Sequence, residues 1–264
     1  MDFGIAGKVA FVSGGSKGIG RQCAEMLGVE RCNVIVAARG QDAIDDTVRA
    51  IKAAGGQAVG VSADLRLEEE VVRAVGVARE TFGAPDIVIT NVHGPGSGDF
   101  FNHPGEDFVE AFRDLALSVI FLARETLPHM QKQRWGRLVT LGSSAAKEPP
   151  TEIKHILANT ARAAVVSLNK SLANEFGKYG ITVNTLGTGW IGTERMHDYL
   201  EHVAEDKDTT KESVMQMINN LIPVGRPGTP EEMASLAVFL CSRQAAYITG
   251  SLITVDGGHH RSAW

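Results

Sequence analysis

The chain of 264 residues has no block of lysine and arginine, no apolar stretch of membrane-spanning length and only three cysteines. Each absence removes a class of function. Without a basic block, and with a formal net charge of −5, the surface lacks the electrostatic footprint that nucleic acid or an anionic membrane requires. A transmembrane helix needs about 20 consecutive apolar residues, and no such run occurs. Cys23, Cys32 and Cys241 are scattered without metal-type spacing, which argues against a zinc site or a disulfide framework and suggests a reducing compartment. Met1-Asp2-Phe3-Gly4 is not a basic stretch leading into a signal-like apolar run, so a cytoplasmic location is expected. No linker, repeat or low-complexity segment interrupts the chain, and residues 1–264 are expected to form a single domain.

What is present is a rhythm. Short β-branched runs predict strands at Val9–Ser13, Asn33–Ala38, Ala58–Ser62, Ile87–Thr90, Arg137–Leu141, Thr182–Leu186 and Leu252–Val255. Helical patterns lie between them, the clearest at Asp107–Gln131 and Asn159–Lys178. In the second, Ala161, Val165, Leu168, Leu172 and Phe176 recur at three- or four-residue steps and form one apolar stripe. Such alternation predicts an α/β fold in which a parallel sheet carries helices on both faces. Residues 190–223 break the rhythm after the sixth strand, at the carboxyl edge where such sheets bind ligands. Trp190, Met196, Tyr199, Met215 and Met217 would give this segment the adaptable apolar underside of a substrate lid.

The first strand runs into Ser13-Gly14-Gly15-Ser16-Lys17-Gly18-Ile19-Gly20 and then an amphipathic helix, Cys23–Val29. Glycines at a strand-to-helix turn let the backbone approach a pyrophosphate, and the free N–H groups of the helix end face that anion. This segment resembles the Thr-Gly-x-x-x-Gly-x-Gly motif of the short-chain dehydrogenase/reductase family, with serine for threonine. Asp64-Leu65 resembles the pair that contacts adenine, and Asn91-Val92-His93-Gly94 keeps the ends of Asn-Asn-Ala-Gly. Gly187-Thr188-Gly189-Trp190-Ile191-Gly192-Thr193 is similar to the Pro-Gly-x-x-x-Thr segment, and the chain closes on the family-like Val255-Asp256-Gly257-Gly258. The resemblance spans almost the whole chain. It implies a Rossmann-type, doubly wound seven-stranded sheet of order 3-2-1-4-5-6-7.

It also implies a nicotinamide cofactor. The contacts carried over fall on Gly14, Ser16, Lys17, Gly18, Ile19, Gly20, Arg39, Asp64, Leu65, Asn91, Gly94, Arg162, Gly189, Ile191 and Thr193. NAD enzymes of this design usually end strand two with a carboxylate for the ribose 2′-hydroxyl. Here the strand ends Ala37-Ala38-Arg39-Gly40, and Lys17 lies in the glycine turn. Two cations suit a 2′-phosphate, so NADP is expected ahead of NAD.

The family's proton relay is where the pattern departs. Ser143, with Ser144 as the fallback, falls at the family serine, but Ala158 falls at the tyrosine, Arg162 at the lysine and Ser118 at the helix asparagine. This is similar to a divergent, acyl-carrier-protein reductase-like branch in which the tyrosine is a small residue and the lysine an arginine. Alanine has no proton to exchange. Arginine, with a pKa above about 12, can bond a ribose but cannot relay a proton. Tyr179, Tyr199 and Tyr247 lie elsewhere in sequence, and the sequence assigns none of them to the gap. His155 in the lengthened segment before Ala158, a water held by Ser143, or His93 after strand four are the candidates for the missing proton. Three readings follow: an oxidoreductase on a carbonyl or secondary alcohol, a cofactor-binding protein or silent subunit, and a non-redox isomerase or dehydratase in the same pocket. No metal is expected. The substrate is expected to be an apolar small molecule, and the resemblance implies a homotetramer or homodimer built on the two long helices.

Overall fold

Strands whose residues are all buried, such as β1 (Val9–Ser13) and β4 (Ile87–Thr90), need cover on both faces, and the topology supplies it. The computed structural model describes residues 2–91, 94–150 and 154–262. β1 leads to α1 (Gly18–Val29), β2 (Asn33–Ala38) to α2 (Gln41–Ala53), and β3 (Gln57–Ser62) to α3 (Glu68–Thr81). After β4 come α4 (Gly105–Phe112) and α5 (Ser118–Gln133), then β5 (Gly136–Leu141), α6 (Ile156–Phe176) and β6 (Ile181–Thr188). α7 (Glu194–Asp206), α8 (Lys211–Leu221) and α9 (Pro230–Cys241) precede β7 (Leu252–Val255). The seven strands pair in parallel in the order 3-2-1-4-5-6-7, as expected.

One face of the sheet packs Val12, Val34, Ile89 and Leu186 against Ala24 and Leu27 of α1 and Met233 and Val238 of α9. The other packs Phe11, Val88, Leu138 and Val183 against α3, Leu122 and Leu127 of α5, and Ala173 of α6. Because β1 is flanked by β2 and β4, the connections leave it in opposite directions. The carboxyl ends of β1 and β4 therefore part into a crevice. There the Ser13 hydroxyl donates to the Asn91 carbonyl at 2.8 Å and ties the two strand ends together.

Two expectations about the elements are corrected. The long helix predicted over Asp107–Gln131 is not uniform, since Arg113–Leu117 forms a π turn between α4 and α5. Within that widened turn the fully buried Ser118 hydroxyl donates to the Leu115 carbonyl at 3.3 Å. Residues 190–223 have a small core of their own: Met196, Leu200 and Ala204 of α7 meet Val214 and Ile218 of α8, with Trp190 and Met215 packed against them. Met217 is 52% exposed and is not part of any underside.

Candidate active site

A single cleft of about 950 Å³ runs along the carboxyl ends of the strands. Its floor at one end is the turn after β1. Gly14 and Gly18 adopt φ values of +58° and +51°, a region that side chains rarely enter. α1 begins with Lys17 as its cap and has no side-chain hydrogen bond closing its first turn, so its leading N–H groups are left for an anion. Gly20 has a different job. A Cβ there would overlap the Gly14 carbonyl oxygen, so this glycine lets α1 sit against the turn rather than line the cleft.

Arg39 lies exposed at the end of β2 on the cleft wall and forms no ion pair within 4 Å among the described residues. Lys17 spans instead to Glu194 at the start of α7, Nζ to Oε2 at 2.8 Å, an exposed pair across the mouth of the cleft. Asp64 is held by Arg66 through both carboxylate oxygens, at 2.6–3.1 Å, and this pairing keeps its carboxyl below the ordinary carboxylate range. Arg66, which sequence reasoning did not single out, also lines the cleft and lies 3.7 Å from Asp114. Leu65, Asn91, Gly94, Gly189, Ile191 and Thr193 complete the wall where the sequence placed them.

The other end of the cleft gathers Ser143, His155, Ala158 and Arg162. Ser143 Oγ accepts the Ala145 N–H at 3.2 Å, which leaves its own proton free to be donated. Ser144 is buried and its hydroxyl donates to the Thr188 carbonyl at 3.3 Å, so Ser143 is the better placed of the two serines. His155 caps α6. Its segment is pinned by Gly98 N–H donating to the Lys154 carbonyl at 2.7 Å and by the Lys154–Asp99 ion pair at 2.7 Å. Burial lowers the His155 pKa from its ordinary value, and the charges of Arg195 and Arg162 push it further down. Arg162 Nη1 donates to the Gly142 carbonyl at 3.0 Å. Loss of hydration, and then the charge of Arg195, bring the Arg162 pKa down to about 10, so it stays cationic at neutrality.

The structure does not bring every candidate here. Ser118 is absent from the cleft wall, since its hydroxyl is spent inside the π turn. His93 lies outside the described residues. Conversely, Arg195 was not assigned from sequence, and Tyr199 was given only to the underside of the lid. Tyr199 of α7 enters the cleft, its ring centroid 5.4 Å from Trp190 and 6.3 Å from His155. Arg195, one residue into α7, also reaches it. The signal for both was their place in the segment after β6, but only the path of α7 decides which of its faces turns inward.

The sequence profile described as Enoyl-(Acyl carrier protein) reductase matches residues 14–260. Short-chain reductase protein NovJ of Streptomyces niveus is 33% identical over 251 residues, covering 95% of this chain and 93% of its own. NADPH-dependent reductase BacG of Bacillus subtilis is 29% identical over 258 residues, covering 97% and 98%. The crystal structure of L-sorbose reductase from Gluconobacter frateurii, complexed with NADPH and L-sorbose, superposes with a TM-score of 0.93 at 30% identity over 99% of this chain and 100% of that one. Together with the sheet order and the glycine turn, these matches show that the chain belongs to the short-chain dehydrogenase/reductase family.

Proposed function

We propose that the protein is an NADP-dependent oxidoreductase that interconverts a carbonyl and a secondary alcohol through a variant site. The observation that carries the reading is the continuity of one cleft from Arg39, past the uncapped end of α1, to Ser143 and His155. The residues fit a phosphorylated dinucleotide. The turn of Gly14, Ser16, Gly18 and Ile19 would hold the pyrophosphate, and Arg39, with no ion pair within 4 Å among the described residues, would take the 2′-phosphate. Asp64 and Leu65 border the adenine end; Asn91, Gly94, Gly189, Ile191 and Thr193 border the nicotinamide end. NADPH dependence of BacG and the NADPH complex of L-sorbose reductase support this choice of cofactor.

When bound, the cofactor supplies the hydride. The protein's share is to hold the substrate oxygen and move one proton. Ser143 donates its hydroxyl to that oxygen. His155 exchanges the proton that a tyrosine would exchange elsewhere in the family, because Ala158 has none to offer. Arg162 keeps a positive charge beside the reacting end. The segment of α7 and α8 acts as a lid, laying Trp190, Met196 and Tyr199 against an apolar substrate body. Subunits pair through the 105–133 helical rod, where Val109 and Phe112 are 50% and 42% exposed.

Nicotinamide fluorescence on titration with NADPH and NADH, followed by a panel of ketones, tests this reading. Tight NADPH binding with turnover that falls in His155→Ala is expected. The lost phenol at Ala158 favours one rival, a cofactor-binding subunit without catalysis. Tight binding with no turnover across the panel would establish that rival instead.

A further inference from the structure

Among the described residues, two cations at the inner end of the cleft have no carboxylate in ion-pair reach. Arg162 Nη2 lies 3.2 Å from the position a Cβ of Gly94 would occupy, and the two terminal nitrogens of Arg195 lie 3.6 and 3.7 Å from the same point. The guanidinium groups thus converge on one spot beside Gly94, from α6 and from α7. Among the described residues no carboxylate stands within 4 Å of either. Four carboxylates do line the cleft and face other cations: Asp64 and Asp114 face Arg66, Glu194 pairs with Lys17, and the charge of Asp198 acts on Lys17. His155, the third group at this end, adds no negative charge.

Lost hydration lowers both arginine pKa values, and the like charge of Arg195 lowers that of Arg162 further. Among the described residues only one nitrogen of Arg162 is committed to the protein, through Nη1 to the Gly142 carbonyl, and its Nε is buried without a partner there. Ala158, one turn before Arg162, leaves room beside them, and Trp190, Met196 and Tyr199 form an apolar wall across the same end.

The geometry points to an oxo acid as substrate, with Arg195 and Arg162 clamping its carboxylate and the aromatic wall of α7 covering its apolar body. This deepens, and rests on, the assignment of the Ser143 end as the reacting end. An anion there would form charge-assisted bonds to two guanidiniums and relieve their repulsion. The phosphates of the cofactor have their own places at the glycine turn and at Arg39.

The test compares acids with their methyl esters, benzoylformate and 4-oxo-4-phenylbutanoate each against its ester, in steady-state kinetics with NADPH. At least one acid is expected to exceed its ester in kcat/KM by about tenfold or more, the range of one charge-assisted bond. Arg195→Gln removes the preference, Arg195→Lys keeps part of it, and the NADPH Kd changes less than about twofold in each. Should no ketone turn over, the proposed reaction fails but the subsite is still read by calorimetry. Benzoate and benzamide are titrated into the protein with and without NADP+. Binding of benzoate alone, weakened by Arg195→Gln, supports the clamp. Equal behaviour of acid and ester, or of benzoate and benzamide, overturns it. So does a preference that persists in Arg195→Gln while the NADPH Kd rises about tenfold, since the pair would then serve cofactor phosphate.

Discussion

One substitution, glycine to alanine, should act with opposite signs at two helical positions of this chain. At Gly76, in the middle of α3, an added Cβ meets nothing within 4 Å. Alanine there gains its helix propensity over glycine, about 1 kcal/mol, and the unfolded chain loses freedom. At Gly20, the third residue of α1, the Cβ would overlap the Gly14 carbonyl oxygen and lie 2.9 Å from Asn91 Nδ2. Neither obstacle is the loose end of a flexible side chain. The carbonyl is backbone, and Asn91 Nδ2 itself reaches the Gly14 carbonyl at 3.5 Å. Overpacking of this kind costs roughly 1–3 kcal/mol, which exceeds the propensity gain. The two variants should therefore differ by about 2 kcal/mol, or about 4–8 °C in Tm for a chain of this size. Gly20→Ala should also raise the NADPH Kd by about tenfold, because prising α1 from the turn displaces the N–H groups meant for the pyrophosphate. Differential scanning calorimetry and NADPH fluorescence read both effects. A Gly20→Ala protein as stable as Gly76→Ala, with unchanged NADPH affinity, would refute the argument that this glycine is kept for close packing.

Arg39→Asp should reverse cofactor preference, raising the Kd for NADPH by about tenfold while lowering that for NADH, as a carboxylate replaces the phosphate partner; fluorescence titration decides. His155→Ala should lower kcat for ketone reduction by about a hundredfold and leave NADPH affinity within about twofold. In the intact protein the imidazole is held below its usual pKa by burial, Arg195 and Arg162. The reductive rate should thus climb as pH falls from neutrality, and the climb should vanish in His155→Ala. The same depressed pKa has a stability consequence. Below about 6.5 the unfolded chain binds a proton that the folded state refuses, so this contribution to stability declines as pH drops, and urea midpoints should show a shallower decline in the alanine variant. Thr229→Ala removes the capping box that joins Thr229 to Glu232 at the start of α9, and should cost about 1 kcal/mol by urea unfolding.

The parts of this protein legible in sequence are those set by local periodicity. All seven strands begin and end within two residues of the runs that predicted them because a buried parallel strand needs an unbroken apolar segment, as in Val9–Ser13. The glycine turn was legible for a similar reason: its positive φ values at Gly14 and Gly18 demand the residue type. What escaped depended on directions in space. Ser118 stood at a plausible spacing on a helix, but the π turn rotates it into the protein, where it bonds the Leu115 carbonyl. Arg195 was hidden for the converse reason. Nothing in the order of α7 residues says that Leu200 turns to α8 while Arg195 faces the cleft beside Tyr199.

Binding and chemistry rest on different kinds of group in this fold, and that separation explains how one can persist while the other changes. The pyrophosphate site is built from backbone: a turn with two left-handed glycines, an uncapped helix end and the strand termini tied by Ser13 and Asn91. Side-chain replacement on α6 leaves all of it untouched. The reacting end is built from side chains on α6 and α7, where Ala158 and Arg162 sit one turn apart. A lysine in place of Arg162 would present a single ammonium, suited to lowering the pKa of a neighbouring phenol. A guanidinium holds the Gly142 carbonyl with one nitrogen at 3.0 Å while another stays beside Gly94. With no phenol at 158 to tune, the fork serves attachment rather than proton relay. Restoring the pair as Ala158→Tyr with Arg162→Lys should then leave the NADPH Kd within about threefold, since the backbone end is unaltered. The same change should replace the His155-dependent pH profile by one governed by the new phenol. A double variant that lost NADPH binding, with its fold intact by circular dichroism, would show that α6 side chains carry the cofactor after all.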